Sequence, residues 1–188
     1  MTDNLNNLID PGLIEECRKG NLQDFRKLIG IASPFAFSIA FRMVGDEDLA
    51  EDIVQETMVT VWEKISKIKS SRGFKTWLYR IVVNKCYDDL RKRKRQIEFR
   101  ADEKTWALIA NHTSTEQFSE LENKEMAKII NFLTEKLSPK QKAVFVLSDL
   151  EEMTQEEIST ITGMGKRNIK ANLHYARGKI SEILAKYI

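Results

Sequence analysis

Helix-breaking residues are scarce in this chain. Three prolines and eight glycines in 188 residues leave long uninterrupted stretches. Strand-like alternation is scarce too, and apolar residues recur near a 3.6-residue period, which predicts an all-α fold. Cysteine is almost absent. Cys17 and Cys86 form no metal-ligand spacing with each other or with the two histidines, so they read as reduced core thiols of a cytoplasmic protein. No window approaches 18 consecutive apolar residues, so no membrane-spanning helix and no membrane insertion are expected. Met1 to Asp10 has no basic segment and no apolar run, which argues against a signal peptide. No glycine loop suited to cradling phosphate is present, and no Ser, Cys or Asp sits in a nucleophile context. The expectation is therefore no catalytic residues, no cofactor and no enzyme.

What is present is segregated charge. The net charge of +2 hides it. Asp46, Glu47, Asp48, Glu51, Asp52, Glu56 and Glu63 fall in one stretch that contains no basic residue. From Lys166 to Lys186 the balance reverses: Lys166, Arg167, Lys170, Arg177, Lys179 and Lys186 stand against Glu182 alone. Two kinds of partner are implied. A third charged feature is the run Arg91-Lys92-Arg93-Lys94-Arg95, which closes a segment opened by Phe74, Trp77 and Tyr79. Aromatic faces stack on unpaired bases and basic clusters hold phosphates, so this segment is suited to single-stranded nucleic acid. A packed core stripe with a solvated end is the competing reading.

Helix signals punctuate the chain. Asp10 and Pro11 open a helix that ends near Gly20. Leu22 to Val44 follows, with a break expected near Pro34, and Gly45 as the stop. A third helix starts at Asp46 and turns Leu49, Ile53, Met58, Val61, Trp62 and Ile65 inward. Lys67 to Gly73 reads as a loop, and a fourth helix covers about Lys75 to Lys94. Around Trp106 a short helix is possible inside an otherwise weakly patterned linker. Ser138-Pro139-Lys140-Gln141 and Thr154-Gln155-Glu156-Glu157 both carry capping-box chemistry. The latter opens a short helix that stops at Gly163, and a last helix begins at Lys166 with Ile169, Leu173, Ala176, Ile180 and Ile183 or Leu184 buried. The expected architecture is two small helical domains, 1–97 and 119–188, joined by a flexible linker, 98–118, with a helix-turn-helix in the second.

Three faces carry the functional reading. On the last helix, Lys166, Arg167, Lys170, Ala171 and His174 lie opposite Ile169 and Leu173, as a helix entering a major groove requires. A solvated helical hairpin is the alternative. On the fourth helix, Leu78, Val82, Cys86 and Leu90, with Ile81, form a buried stripe, and Trp77 reads as core. Arg80, Asn84, Asp88 and Arg91 occupy the other side. On the acidic helix, Asp52, Gln55 and Glu56 share an exposed turn that DNA would repel, which points to a basic protein partner or to plain solvation. No His or Cys accompanies these carboxylates, which argues against a metal site.

These segments resemble the sigma-70 family. Asp48-Leu49-Ala50-Glu51-Asp52-Ile53-Val54-Gln55-Glu56 is similar to region 2.2. Phe74-Lys75-Thr76-Trp77-Leu78-Tyr79-Arg80-Ile81, with Asn84, Asp88 and Arg91, is similar to regions 2.3 and 2.4. Leu137 to Leu150, Thr154 to Ile158 and Ile169 to Arg177 together resemble region 4. The order and spacing are those of an extracytoplasmic-function sigma factor, a group without regions 1.1 and 3.

The resemblance implies roles. Asp52, Gln55 and Glu56 would dock on the β′ clamp helices of core RNA polymerase, and the C-terminal domain on the β flap. Ser70, Ser71, Arg72, Gly73 and Phe74 would form a pocket for a flipped base of the −10 element. Arg80, Asn84, Asp88 and Arg91 would hold the melted strand. Lys166, Arg167, Lys170, Ala171, His174 and Arg177 would read the −35 element as duplex promoter DNA. An anti-sigma factor is the further partner implied. The family often has Ser-Arg where this chain has Ala171-Asn172, which removes one phosphate contact. The alternative function is a helix-turn-helix regulator without sigma activity.

Overall fold

The computed structural model describes residues 5–68, 73–100 and 129–185, and these are helical with short turns. In chain order the helices are α1 (Leu5–Leu8), α2 (Pro11–Arg18), α3 (Leu22–Val44), α4 (Glu47–Lys64), α5 (Phe74–Arg100), α6 (129–134), α7 (Pro139–Phe145), α8 (Gln155–Thr162) and α9 (Lys166–Leu184). The all-α expectation is met, with a helix-turn-helix formed by α8 and α9. The expected helix around Trp106 and residues 101–118 of the expected linker lie outside the described residues. The expected boundary at residue 97 falls inside α5, which runs on to Arg100.

Local chemistry sets most helix ends. The Asp10 carboxylate accepts from the Gly12 N–H at 3.1 Å, and Pro11 follows at the first helical position. Asn21 caps α3 and Asp46 caps α4 through their side-chain oxygens. Ser138 and Gln141 exchange reciprocal bonds at 3.3 and 3.0 Å, and Thr154 and Glu157 do so at 3.3 and 2.9 Å. These boxes satisfy N–H groups that the helix itself leaves unpaired. Gly45 and Gly163 end α3 and α8 in the left-handed conformation, φ 77° and 71°, which costs a glycine little.

One expectation fails here. Pro34 does not break α3. It is exposed, so the carbonyl it frees at Gly30 faces water, and buried Leu28, Ala32, Ala36 and Ile39 hold the helix on both sides. α3 is also strongly apolar: over an 18-residue window its mean hydropathy is 1.4, enough by length and composition to cross a bilayer, a test that a core helix passes as well. Counting consecutive apolar residues missed this, because polar residues interrupt the run. Here α3 is the central core helix, packed on α2, α4 and α5.

The C-terminal helices do not stand apart from that core. Leu137, Ala176 and Ile180 form a small cluster of their own with half-buried Leu133 and Phe145. Ala143, Val144, Val146, Leu147, Met153, Ile158, Ile161 and Ile169 instead join the same buried cluster as α3, α4 and α5. α7 packs on α3 and α5, and α8 packs on α5. α7 continues into a π-helical turn, Val146–Leu150, that the apolar periodicity did not reveal. Val146 is fully buried, and Phe145 is half-buried.

Lys142 of α7 is carried into this interface, only 9% exposed. Its ammonium donates to Asn131 Oδ1 at 3.3 Å. Burial is the main cause that lowers its pKa to about 8 from an ordinary 10.5. Between those two values the unfolded chain holds a proton that the folded chain has released, so stability from this group rises with pH. The buried Cys86 thiol acts oppositely above pH 9, because burial pushes its pKa up to about 12. Lys142→Met is therefore expected to stabilise the protein at pH 7 by about 1–3 kcal/mol. That advantage shrinks as pH rises from 8 toward 10.5, measured by urea unfolding of both proteins at each pH.

Candidate nucleic-acid interface

The buried face of α5 determines its readable face. Phe74, Leu78, Val82 and Cys86 repeat every four residues and are all at most 1% exposed, and Tyr79 and Val83 line the adjacent strip at 1% and 0%. Turning these inward leaves Arg80, Asn84, Asp88 and Arg91 on the solvent side, where all four are exposed. From Arg80 to Arg91 is 11 residue steps, roughly 16 Å of helix at about 1.5 Å per step. A row of two guanidiniums, an amide and a carboxylate offers both phosphate anchoring and base-edge hydrogen bonding.

The expected pocket loop is only partly visible. Ser70, Ser71 and Arg72 lie outside the described residues. Gly73 is exposed. Phe74 is corrected: it is 1% exposed, with its ring 6.0 Å from that of Trp77. It stands four residues before Leu78 and so belongs to the buried stripe, where its face is unavailable to a base. The spacing carried that signal. Tyr79, offered with it as a stacking aromatic, is core as well.

On α4, Asp52, Gln55 and Glu56 are exposed together. Buried Ala50, Ile53, Val54, Thr57, Met58 and Val61 account for the opposite side. Trp62 sits between these faces, 38% exposed, with its ring 4.6 Å from Phe25. Glu56 also accepts from the Lys85 ammonium of α5 at 2.9 Å. Lys85 was not singled out in the sequence, because its partner lies 29 residues away. This pair ties the acidic row to the helix that carries the Arg80–Arg91 row.

The α8–α9 unit is rigid at its turn. Ser159 Oγ donates to the Met164 carbonyl at 2.8 Å, and the Met164 N–H donates to Thr162 Oγ1 at 3.2 Å. Ile158, Ile161 and Ile169 bury the inner angle. Lys166, Arg167, Lys170, Ala171, His174 and Arg177 are all exposed on α9. A shallow groove beside them is lined by Gln155, Lys170, His174, Arg177 and Ser181. Lys166 is paired with Glu156, whose carboxyl pKa is lowered chiefly by that hydrogen bond.

Arg177 is more committed than the others. Its guanidinium donates two bonds to Asp149, 2.9 and 2.7 Å, bracing α9 against the π-helical turn. The bidentate bond is the largest cause lowering the Asp149 pKa. Tyr175, not singled out in the sequence, is 62% exposed beside this face. Among the described residues no group of three or more His, Cys, Asp or Glu is placed to hold a metal ion.

Comparison with known proteins follows the same division. A family model described as sigma-70 region 2 matches residues 28–96, and one described as sigma-70 region 4 matches residues 127–180. The ECF RNA polymerase sigma factor SigW of Bacillus subtilis is 26% identical over 175 residues, covering 87% of this chain and 90% of SigW. The RNA polymerase sigma factor CnrH of Cupriavidus metallidurans is 29% identical over 178 residues, 92% of each chain. The fold is similar to that of CnrH in its complex with the cytosolic domain of CnrY, with a TM-score of 0.65 and 22% identity over 94% of this chain and 97% of that one. It is also similar to RpoE of Bartonella quintana in complex with the anti-sigma factor NepR, with a TM-score of 0.66 and 24% identity over 87% of this chain and 98% of that one.

The Asp149–Arg177 brace is testable apart from any DNA. Both side chains are partly exposed, 21% and 59%, so the pair is worth about 0.5–1 kcal/mol. A double-mutant cycle of Asp149→Ala and Arg177→Ala is expected to return that coupling near neutral pH. Because the folded pKa of Asp149 lies below its ordinary 3.8, the coupling is fully present above that value and disappears on further acidification.

Proposed function

The chain belongs to the sigma-70 family as an extracytoplasmic-function RNA polymerase sigma factor, and from that premise we propose how its residues divide promoter recognition and polymerase binding. Residues 1–97 form the domain that binds core polymerase and the −10 element. Residues 98–118 form the connection, and residues 119–188 form the domain that binds the −35 element. The observation that carries this division is the exposed row Arg80, Asn84, Asp88 and Arg91 on a helix whose other side is core. It is a second nucleic-acid face, separate from α9, on an element matched by the region 2 model.

Arg80 and Arg91 anchor the melted strand through phosphates, while Asn84 and Asp88 meet base edges. Ser70, Ser71, Arg72 and Gly73 form the pocket for the flipped base. Extruding a base costs a few kcal/mol, which pocket contacts must offset. On α9, Lys166, Arg167, Lys170, Ala171 and His174 face the −35 duplex. Arg177 contributes by holding the helix in position through Asp149. Asp52, Gln55 and Glu56 dock on the β′ clamp helices, and the C-terminal domain docks on the β flap. The factor contributes recognition and melting rather than covalent chemistry, acts in the cytoplasm, and is held in check by an anti-sigma factor, as CnrY and NepR accompany the similar structures. A helix-turn-helix regulator without sigma activity has no use for the region 2 match or for the acidic row.

Transcription with purified core polymerase on a genomic promoter pool is expected to give discrete start sites that share one −10 and one −35 sequence. Loss of core binding altogether would remove the reading. Asp52→Lys is expected to weaken core binding about tenfold, a loss of about 1.4 kcal/mol. Duplex binding by α9 should be unchanged in the same variant. Reversal at Glu56 is a poorer probe, because it brings a second cation against Lys85. Asn84→Ala is expected to slow open-complex formation more than it weakens duplex binding, and equal losses would count against its role on the melted strand.

A further inference from the structure

An aromatic ring stands uncovered on the helix assigned to duplex DNA. Tyr175 of α9 is 62% exposed, whereas Ile169 and Leu173 of the same helix are buried and half-buried. Buried Ile169, Ala176 and Ile180 fix the inner side of α9. At about 100° per residue, the row Arg167, Ala171 and Tyr175 is centred roughly 160° from that stripe. A helix seated in a groove carries such a row furthest toward the base edges. Lys170, His174 and Arg177 lie to one side of it, where they line the shallow groove with Gln155 and Ser181.

The ring has room on both sides. Ala171, one turn before it, carries only a methyl group. Gly178, three residues after it, has no side chain, and nothing lies within 4 Å of where its Cβ would stand. His174 meets the ring edge-on, with centroids 6.1 Å apart and planes at 67°. The cations nearby are engaged differently. Arg177 is bound twice to Asp149, and Lys166 is paired with Glu156. Lys170 and His174, at the groove, suit the phosphate backbone, which positions a protein but carries no sequence information. Base reading is left to the outermost row. In the major groove guanine is matched by a bidentate Arg or Lys, which Tyr175 cannot imitate. The thymine C5 methyl is matched by apolar contact, which its ring offers.

We propose that Tyr175 is a specificity-determining residue of the −35 contact, that its ring reads the C5 methyl of one thymine, and that Ala171 meets a second thymine methyl. The two residues are four apart in the chain, roughly 6 Å along the helix at about 1.5 Å per residue. For a helix lying along the groove, this is about two base-pair steps at about 3.4 Å each. The two thymine methyls are therefore two steps apart. The assignment rests on the reading of α9 as the −35 reader and adds to it which base is read and by which side chain.

The test selects duplexes from a random pool with the full-length chain, with and without core polymerase, and then measures binding to the selected element. Selection is expected to return thymine at a fixed position. Replacing that thymine with deoxyuridine removes the methyl alone and should weaken binding by the parent about fourfold, the worth of one buried methyl-sized group. Tyr175→Ala should bind the thymine and deoxyuridine duplexes equally, and Tyr175→Phe should keep the parent's preference. The salt dependence of Tyr175→Ala should match the parent's, whereas Lys170→Ala should lower that slope by about 1. An element without thymine, a parent indifferent to the methyl, or a full methyl preference kept by Tyr175→Ala would each overturn the assignment. A lowered salt slope in Tyr175→Ala would also overturn it, by making the residue a phosphate contact. An element selected by a chain that fails to bind core polymerase would keep the assignment and sink the sigma-factor reading. Selection of no element under either condition would overturn both.

Discussion

Burial of one side of α5 is the constraint on which the remaining features depend. Phe74, Leu78, Tyr79, Val82, Val83 and Cys86 are removed from water together. At about 1.5–3 kcal/mol for each large apolar side chain, this face contributes on the order of 10 kcal/mol before chain entropy is subtracted. The same face meets α3 and α4 from the N-terminal unit and α7 and α8 from the C-terminal unit. Orientation of the polar row Arg80, Asn84, Asp88 and Arg91 is a consequence of it. A helix cannot rotate to spoil that row without exposing the stripe.

Charge is distributed around that packing and tied to it at a few points. The acidic row on α4 is linked to α5 through Glu56 and Lys85. The basic α9 is braced through Arg177 and Asp149 and through Lys166 and Glu156. These pairs are exposed at least on one side and individually weak. Their effect is positional: each connects a functional face to the element beneath it. Glu151, paired with Arg42, differs because its side chain is only 14% exposed, so its contribution is selection of one docked arrangement over its neighbours.

Much of the fold was legible because its signals are local. The caps at Asp10, Asp46, Ser138 and Thr154 and the stops at Gly45 and Gly163 each depend on side chains within three residues or on a single backbone angle. The exposed rows on α4, α5 and α9 followed from helical phase alone. Phe74 was misassigned because aromatic character was weighed above its four-residue spacing to Leu78. Pro34 was read as a break because its cost is local, whereas the packing that offsets it comes from α2, α4 and α5. The π-helical turn was invisible because it inserts a register shift that periodicity averages away.

The amino-acid sequence by itself determined the helices, their capped ends, the order of the exposed polar rows on α5 and α9 and the acidic row between α3 and α5. These depend on residues within one or two turns, where spacing translates directly into geometry. Only the tertiary structure decided that the two units share a core, that Lys142 is carried into it, and that Arg177 is committed to Asp149. It alone brought Glu151 to Arg42, 109 residues away in the chain. No local pattern encodes such a contact, because it exists only when separate helices bury their apolar faces against each other and leave one arrangement that pairs the charges.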